Sequence, residues 1–232
     1  MKRFYTEASA APAGAGWQAQ LDGRGVKTVG GRPQIVPTEA LAGMLAAEWA
    51  AQEAEIDPKS FVLRDLADFA IDVIAADPAT IRTALVRYAE TDTLCYRADP
   101  GEALHRRQTE RWEPVLAGAE ARLGIRFERI SGIIHQPQPA ATLARLEQEL
   151  VTLDPFALAA LNTLTSLAAS LVIGLAALEP EADTGALWIA AELEEEWQAE
   201  QWGRDAEAED RRARRAEAFA AAVRFAALAR NG

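Results

Sequence analysis

The pattern of hydrophobic and polar positions changes near residue 37. Before that point, short segments alternate apolar and polar residues between glycine-containing turns, which is typical of half-buried β-strands. Asp22-Gly23 is a tight-turn signal, and Gly14 and Gly16 mark an earlier reversal of the chain. The pattern therefore predicts a small antiparallel meander. Its strands are expected at residues 3–10, 17–21, 26–29 and 34–36.

After residue 37 the apolar positions follow the helical period. Pro37-Thr38 predicts a helix start with Thr38 as the N-cap, and this helix would cover one side of the meander. Pro114 predicts a kink or restart within a later helix. Residues 91–97 either extend the third helix or form a short separate element, and the apolar residues between 125 and 134 suggest an extended piece. Helices are predicted at residues 38–52, 64–75, 79–90, 104–122, 140–153, 155–178, 184–203 and 205–230.

These elements define an α+β fold. We expect a small β-rich N-terminal domain over residues 1–77, in which helices cover the antiparallel meander. A larger all-α C-terminal domain is expected over residues 78–232. The most apolar stretch, residues 156–178, is interrupted by Asn162, Thr163 and Ser166, so it predicts a buried helix and no membrane insertion.

Residues 187–203 read as one amphipathic helix with an unusual carboxylate. At about 100° per residue, Glu194 lies in an uncharged ridge, whereas Glu195 lies beside it between Trp188 and Trp202. A carboxylate in such a ridge must find a partner, stay hydrated or contact another protein. The alternative is that Glu194 bonds Gln198, one turn further on, or a nearby arginine. The ridge is formed by Leu187, Ala190, Ala191, Trp197, Gln198 and Gln201.

The net charge of the chain indicates which class of partner it can bind. The chain of 232 residues has a formal net charge of −11 and a pI of about 4.8, and an acidic surface of this kind repels phosphate backbones. Nucleic acid is therefore excluded as a partner. Cys95 is the only cysteine, so an internal disulfide is impossible, and the N-terminus carries neither a secretory signal nor a transit peptide. We expect a bacterial cytoplasmic protein.

The sequence offers little catalytic chemistry. It contains no glycine-rich nucleotide-binding motif, and His105 and His135 have no neighbours at metal-ligand spacing. The glutamates of the 184–203 helix spread around it and do not predict a shared metal, so no cofactor is expected. One enzymatic alternative stays open, namely an acid-dependent hydrolase or isomerase that uses Glu194 or Glu195. It predicts a closed pocket with a second titratable group opposite that carboxylate.

Five motifs then occur in order along nearly the whole chain. Together they resemble the family of assembly chaperones for the ATP synthase F₁ sector, the branch that holds the α subunit. The family includes bacterial and mitochondrial members. Two departures from its pattern are Ala50, where aspartate is usual, and Val29, where proline often occurs. The motifs are LDGRGVKTVGG at 21–31, VPTEALAGMLAAEWAAQ at 36–52, TDTLCYRA at 91–98, QTERWEP at 108–114 and LEEEWQAEQWG at 193–203.

The resemblance implies a non-enzymatic chaperone with a small β-rich domain followed by a helical domain. It would bind the free α subunit, shield the surface that later meets the β subunit, and be monomeric when free. The family's EW-x-x-Q corresponds to Glu48, Trp49 and Gln52. Its L-E-x-x-x-Q-x-x-x-W-G corresponds to Leu193, Glu194, Gln198, Trp202 and Gly203, with Glu194 at the functionally important glutamate. The expected partner-binding residues are Glu194, Glu195, Gln198, Trp202, Trp49 and Gln52.

Overall fold

The computed structural model describes residues 1–132 and 135–230, and these residues form two compact units. Unit 1 contains Met1–Pro78, Asp154–Ala160 and residues 221–230. Unit 2 contains Ala79–Leu153 and Leu161–Ala220. The predicted domain boundary at residues 77 and 78 stays a prediction. The predicted extended conformation of residues 133 and 134 lies outside the described part of the chain.

Unit 1 contains the predicted antiparallel sheet. Its central strand β2 pairs with β1 on one side and with β3 and β4 on the other. Asp22 (φ 48°) and Gly23 (φ 76°) form a two-residue turn with positive φ at both positions, as the Asp-Gly signal predicts. The α+β class is confirmed. The strands are β1 (Ala8–Ala13), β2 (Gly16–Leu21), β3 (Arg24–Gly25) and β4 (Ile35–Val36).

The strand predicted at residues 26–29 is wrong, because a loop from Lys27 to Pro33 replaces it. Two aspartates hold this loop. Asp68 accepts a hydrogen bond from the Val29 amide (3.1 Å), and Asp72 accepts one from the Gly30 amide (2.8 Å). These backbone groups are therefore paired with side chains and not with a neighbouring strand.

The helix α1 (Glu39–Ala50) begins as predicted, since Thr38 Oγ1 accepts a hydrogen bond from the Leu41 amide (3.0 Å). Its buried face, which includes Leu41 and Leu45, packs against β1 and β2. A short 3₁₀ turn (Pro58–Ser60) precedes α2 (Val62–Phe69), which continues into a π-helical turn (Ala70–Ile74). The rings of Phe156 and Phe225 pack 6.2 Å apart within the same unit.

Unit 2 is mostly helical. One helix, α4, runs through Pro114 without a break and ends at Gly124, which adopts a left-handed conformation (φ 66°). Residues 91–97 form a separate element, a 3₁₀ turn (Thr93–Cys95) followed by β5, which pairs in parallel with β6. The elements of unit 2 are α3 (Pro78–Glu90), β5 (Tyr96–Arg97), α4 (Ala103–Leu123), β6 (Ile130–Ser131), α5 (Ala140–Val151), α7 (Leu171–Ala177), α8 (Thr184–Ala191) and α9 (Leu193–Trp202). Two further helices, α6 (Pro155–Ala168) and α10 (Ala206–Arg230), have residues in both units.

Two of the predicted helices are each divided in two. The helix predicted at residues 155–178 breaks at Ala169 (φ 48°), after which Ser170 caps α7. Asp92 is fully buried and accepts a hydrogen bond from the Val172 amide (3.0 Å), so it stabilises this new helix start. The helix predicted at residues 184–203 breaks at Glu192, which Arg212 and Arg215 hold in ion pairs. Both breaks depend on side chains distant in sequence.

The core of unit 2 surrounds α4. Trp112 is fully buried, and its indole Nε1 donates a hydrogen bond to the carbonyl of Ala190 (2.8 Å) at the end of α8. Within the part of the chain that the structure describes, no helix is long and apolar enough to cross a membrane.

Candidate partner-binding site

Helix α4 sets the position of Glu194. Gln108, one turn before Trp112, is fully buried, and its Oε1 accepts a hydrogen bond from the Ala98 amide (2.8 Å). Its Nε2 donates to Glu194 Oε1 (2.7 Å). The amide group of Gln108 is thereby fixed at both ends, and it holds the first turn of α9 against α4.

Glu194 has a partner that the sequence did not indicate. Neither Gln198 nor an arginine binds it among the described residues. Glu194 is half-buried, and burial raises the pKa of its carboxyl group, whereas the hydrogen bond from Gln108 lowers that pKa by a smaller amount. Glu194 is therefore oriented by a neutral amide, and its charge is not neutralised by any described cation.

A cavity of about 340 Å³ adjoins this carboxylate, and we call it the Glu194 cavity. Hydroxyl, imidazole and carboxylate groups line it together with apolar surface, and the Tyr96 hydroxyl lies 2.9 Å from His135 Nδ1 on its wall. Its lining residues are Thr91, Thr93, Tyr96, His135 and Glu194. Glu194 can thus meet a partner group that enters this cavity.

The other predicted residues of α9 lie along a second depression of about 600 Å³, which we call the α9–α10 groove. Glu195, Gln198 and Trp202 all line it, and the arginines Arg211, Arg212 and Arg215 of α10 lie among its other lining residues. Trp202 is 81% exposed, so nearly all of its indole surface is in contact with solvent. Glu195 is exposed and pairs with Arg215 (3.0 Å).

The division of the predicted helix at Glu192 separates two groups of residues that the sequence analysis placed on one helix. Glu192 is buried, and burial raises its pKa, with the nearby Arg215 guanidinium as the largest opposing effect. Glu196 pairs with Arg212 (2.7 Å) and with Arg204, and these hydrogen-bonded pairs hold the pKa of Glu196 below its usual value. These ion pairs connect α9 and the residue before it to α10, and two of their arginines, Arg212 and Arg215, line the α9–α10 groove.

Trp49 and Gln52 lie in unit 1, whereas the α9 residues lie in unit 2. Both are buried, with 7% and 6% of their surface exposed. Gln52 donates to the Glu48 carbonyl and to Ser60 Oγ, and accepts from the Asp57 amide. A partner-binding role for these two side chains stays a prediction.

The EW-x-x-Q motif has a clear structural role in unit 1. Glu48 accepts hydrogen bonds from the amides of Leu63 (2.7 Å) and Arg64 (2.9 Å) and so caps the first turn of α2. Burial raises the pKa of Glu48, while the α2 amides lower it by a smaller amount. Gln108 is the residue that sequence reasoning missed. Its position one turn from Trp112, within QTERWEP, could have indicated a buried amide.

The described residues contain no group of three or more histidine, cysteine, aspartate or glutamate side chains that could hold a metal ion. The geometry presents an exposed tryptophan, a carboxylate without a described cationic partner, and a groove whose lining includes ion-paired arginines. Tryptophan and arginine are enriched at protein–protein contacts.

Comparisons with known proteins agree with this class. The sequence model of the ATP12 chaperone protein family matches residues 2–120, just over half of the chain. The crystal structure of Atp12 from Paracoccus denitrificans superposes with a TM-score of 0.93, at 38% identity, over 99% of this chain and 98% of that chain. The Atu1473 protein from Agrobacterium tumefaciens has a TM-score of 0.93 at 39% identity, over 98% of this chain and 85% of that chain.

A mitochondrial relative is similar over a shorter stretch. The atp12 protein of Schizosaccharomyces pombe is 27% identical over 196 residues, which cover 79% of this chain and 67% of that protein. The fold and these comparisons define an α+β protein of the chaperone class. The chain belongs to the ATP12 chaperone family, which confirms the predicted resemblance to ATP synthase assembly chaperones.

Proposed function

We propose that this chain binds the free α subunit of the ATP synthase F₁ sector. It shields the β-facing surface of that subunit until the β subunit replaces it, in the bacterial cytoplasm and as a free monomer before binding. The contact residues on α9 are Glu194, Glu195, Gln198 and Trp202. Family membership supports the chaperone activity. We infer the α subunit as the partner from the sequence motifs.

The observation that carries the proposal is the exposure of Trp202. A tryptophan that is 81% exposed leaves a large apolar surface in water, and tryptophan contributes more to protein contacts than most residues. It borders a groove that carries charged and amide side chains together with the apolar side chains of Ala199 and Ala208. An interface of this mixed character suits a chaperone that must release its client.

The Glu194 cavity would fix the orientation in which the client binds. A half-buried carboxylate without a described cationic partner attracts an arginine or lysine of the client. Pairing with that cation would offset the desolvation that now raises the Glu194 pKa. We expect binding of the α subunit to lower this pKa.

Co-expression with the α subunit, followed by gel filtration, tests the proposal. A one-to-one complex that dissociates when the β subunit is added is the expected result. Recovery of the two proteins in separate peaks, with the α subunit folded, would contradict it. A purified sample of the free chain that elutes as a dimer would contradict the monomeric state.

One observation favours the enzymatic alternative enough to test it. His135 lines the same cavity as Glu194, so a second titratable group is present there, as a hydrolase or isomerase would require. Glu195 is paired with Arg215 and is less available. Turnover of ester or amide substrates that is lost in both Glu194→Gln and His135→Gln, without α-subunit binding, would establish this alternative in place of the chaperone function.

A further inference from the structure

Unit 1 contains a cavity of about 520 Å³ that the α9 site does not explain, and we call it the Trp49 cavity. The β2–β3 turn forms one side and α1 and α2 contribute Trp49 and Arg64. A volume of this size holds a short peptide segment or one long side chain. Its lining residues are Phe4, Tyr5, Leu21, Asp22, Arg24, Gly25, Val26, Lys27, Trp49 and Arg64.

Two residues that line this cavity each carry a buried donor without an acceptor. Within residues 1–132 and 135–230, Trp49 Nε1 and Arg64 Nε have no hydrogen-bond partner. The Trp49 side chain is buried, with only 7% of the residue's surface exposed. A buried N–H without a partner is costly, so its presence beside a cavity points to an acceptor supplied from outside.

Arg64 is not satisfied by its neighbours. Its only described ion pair is a long contact with Asp68 (3.8 Å), whose oxygens already accept from Gln34 (2.6 Å) and from the Val29 amide (3.1 Å). Its guanidinium instead lies over the rings of Trp49 (5.3 Å) and Phe61 (4.8 Å). Stacking fixes the guanidinium plane, and Nε is left without an acceptor and available to a planar anion.

The charges around the cavity have one dominant sign. Arg24 and Lys27 are exposed on its lining and form no ion pair among the described residues, in a chain whose net charge is −11. The one lining carboxylate, Asp22, already accepts hydrogen bonds from the amides of Thr6 and Glu7. The opening therefore favours an acidic group over the basic one expected at Glu194.

The remaining wall is apolar. Phe4 is 64% exposed, and its ring packs edge-on against Tyr5 (5.3 Å), which in turn packs against Trp49 (5.6 Å). An occupant that places one carboxylate at Arg64 and apolar side chains against Phe4 would satisfy both surfaces.

We propose that the Trp49 cavity binds an acidic peptide segment of a partner protein, with one carboxylate accepting from Trp49 Nε1 and Arg64 Nε. The charge complementarity and the two unpartnered donors select this occupant. All lining residues of this cavity lie in unit 1, and the proposal does not depend on the proposed contact with the α subunit.

Titration of the full chain with two peptides tests this site. The probes are acetyl-Leu-Glu-Leu-amide and its neutral counterpart acetyl-Leu-Gln-Leu-amide, and the readout is the indole N–H signal of Trp49 in ¹H–¹⁵N spectra, assigned with Trp49→Phe. We expect a saturable downfield shift with the glutamate peptide and binding at least about tenfold weaker with the glutamine peptide. The signals of the other five tryptophans serve as internal references.

Arg64→Gln should weaken binding of the glutamate peptide about tenfold. Lys59 is an exposed lysine outside the cavity, so Lys59→Gln should bind this peptide like the unmodified chain. If Arg64→Gln does not fold, the double variant Arg24→Gln and Lys27→Gln replaces it, since both residues are exposed. No saturable shift, equal binding of the two peptides, or unchanged binding by the cavity variants would overturn the proposal. An equal shift with inorganic phosphate would also overturn it, because the site would then be a general anion site.

Discussion

Gln108 Nε2 lies 2.7 Å from Glu194 Oε1, and this hydrogen bond joins the middle of unit 2 to the first turn of α9. A neutral donor orients the carboxylate without cancelling its charge. The desolvation that raises the Glu194 pKa is therefore only partly offset. A client cation that reaches the Glu194 cavity would relieve this cost, which makes the Gln108–Glu194 pair a preorganised contact.

The first prediction concerns Glu194→Gln. The folded-state pKa of Glu194 is raised, so the wild-type protein loses stability as pH rises from the ordinary glutamate pKa to the raised one. The variant has no such loss and can still accept from Gln108. Its free energy of unfolding should be close to the wild-type value at acidic pH and exceed it at neutral pH. Urea unfolding at several pH values measures this.

The same variant distinguishes a client-binding role of Glu194 from a purely structural role. If Glu194 binds the client, Glu194→Gln should weaken the complex with the α subunit by about tenfold without loss of stability, because a charged hydrogen bond is lost. If Glu194 has only a structural role in unit 2, the variant should change stability alone, and affinity per folded molecule should stay the same. Glu194→Lys should weaken the complex further through repulsion.

The second prediction concerns Gln108→Leu. This change leaves the Ala98 amide and the Glu194 carboxylate without their partner at a fully buried position. The free energy of unfolding should fall by about 2 kcal/mol. Gln198→Leu, at an exposed glutamine of α9, is the matched control and should change it by less than about 0.5 kcal/mol. Equal effects of the two variants would contradict the assigned role of Gln108.

Sequence patterns predicted the local features of this fold. The Asp22-Gly23 turn and the Thr38 cap depend on residues within four positions of each other, so their signals are complete in a short window. Gly124 ends α4 for the same reason, since only its own backbone conformation is involved. The α+β class follows from these local signals together with the change of period near residue 37.

Long-range pairs account for the errors. The break before α7 depends on Asp92, 80 positions from Val172, and the partner of Glu194 is 86 positions away. No periodicity contains this information. The same applies to Trp49, whose aromatic character predicts either burial or contact, and only the packed structure places it in the core beside a cavity.

The third prediction is a pH dependence at Asp92. Burial raises the pKa of this carboxyl group to about 6, and the hydrogen bonds from Val172, Leu94 and Ser170 oppose that effect only in part. Because the folded-state pKa is raised, the contribution of Asp92 to stability falls as pH rises from about 4 to about 6 and is constant above that.

Unfolding of the wild type and of Asp92→Asn, followed in urea across pH 3.5 to 7, isolates this titration. The wild-type free energy of unfolding minus that of the variant should fall by about 3 kcal/mol across the window. The titrations of the other carboxylates contribute equally to both proteins and therefore cancel in this difference. A flat difference would show that Asp92 does not titrate near pH 6.

The fourth prediction concerns Glu48→Ala. Glu48 caps α2 through the amides of Leu63 and Arg64, and alanine cannot replace these bonds. The free energy of unfolding should fall by about 1 to 2 kcal/mol. Glu53→Ala, at an exposed glutamate beyond α1 with no described capping contact, is the control. Affinity for the α subunit should be unchanged, and a selective loss of affinity would show that Glu48 acts at an interface.

The fifth prediction concerns Trp202→Ala and tests the α9–α10 groove. Trp202 is 81% exposed, so its removal costs the folded state little packing, and the melting temperature should stay within about 2 °C of the wild-type value. At an interface, by contrast, loss of a tryptophan anchor costs about 2 kcal/mol or more, which is roughly thirtyfold in affinity.

Val151→Ala, at a 60% exposed valine on α5, is the matched control because it also removes exposed apolar surface in unit 2. Biolayer interferometry with immobilised α subunit should show a faster dissociation rate for Trp202→Ala and wild-type rates for Val151→Ala. Equal losses in both variants would mean that general surface hydrophobicity drives binding. Unchanged rates for Trp202→Ala would remove the groove from the interface and leave the Glu194 cavity as the remaining proposed contact on α9.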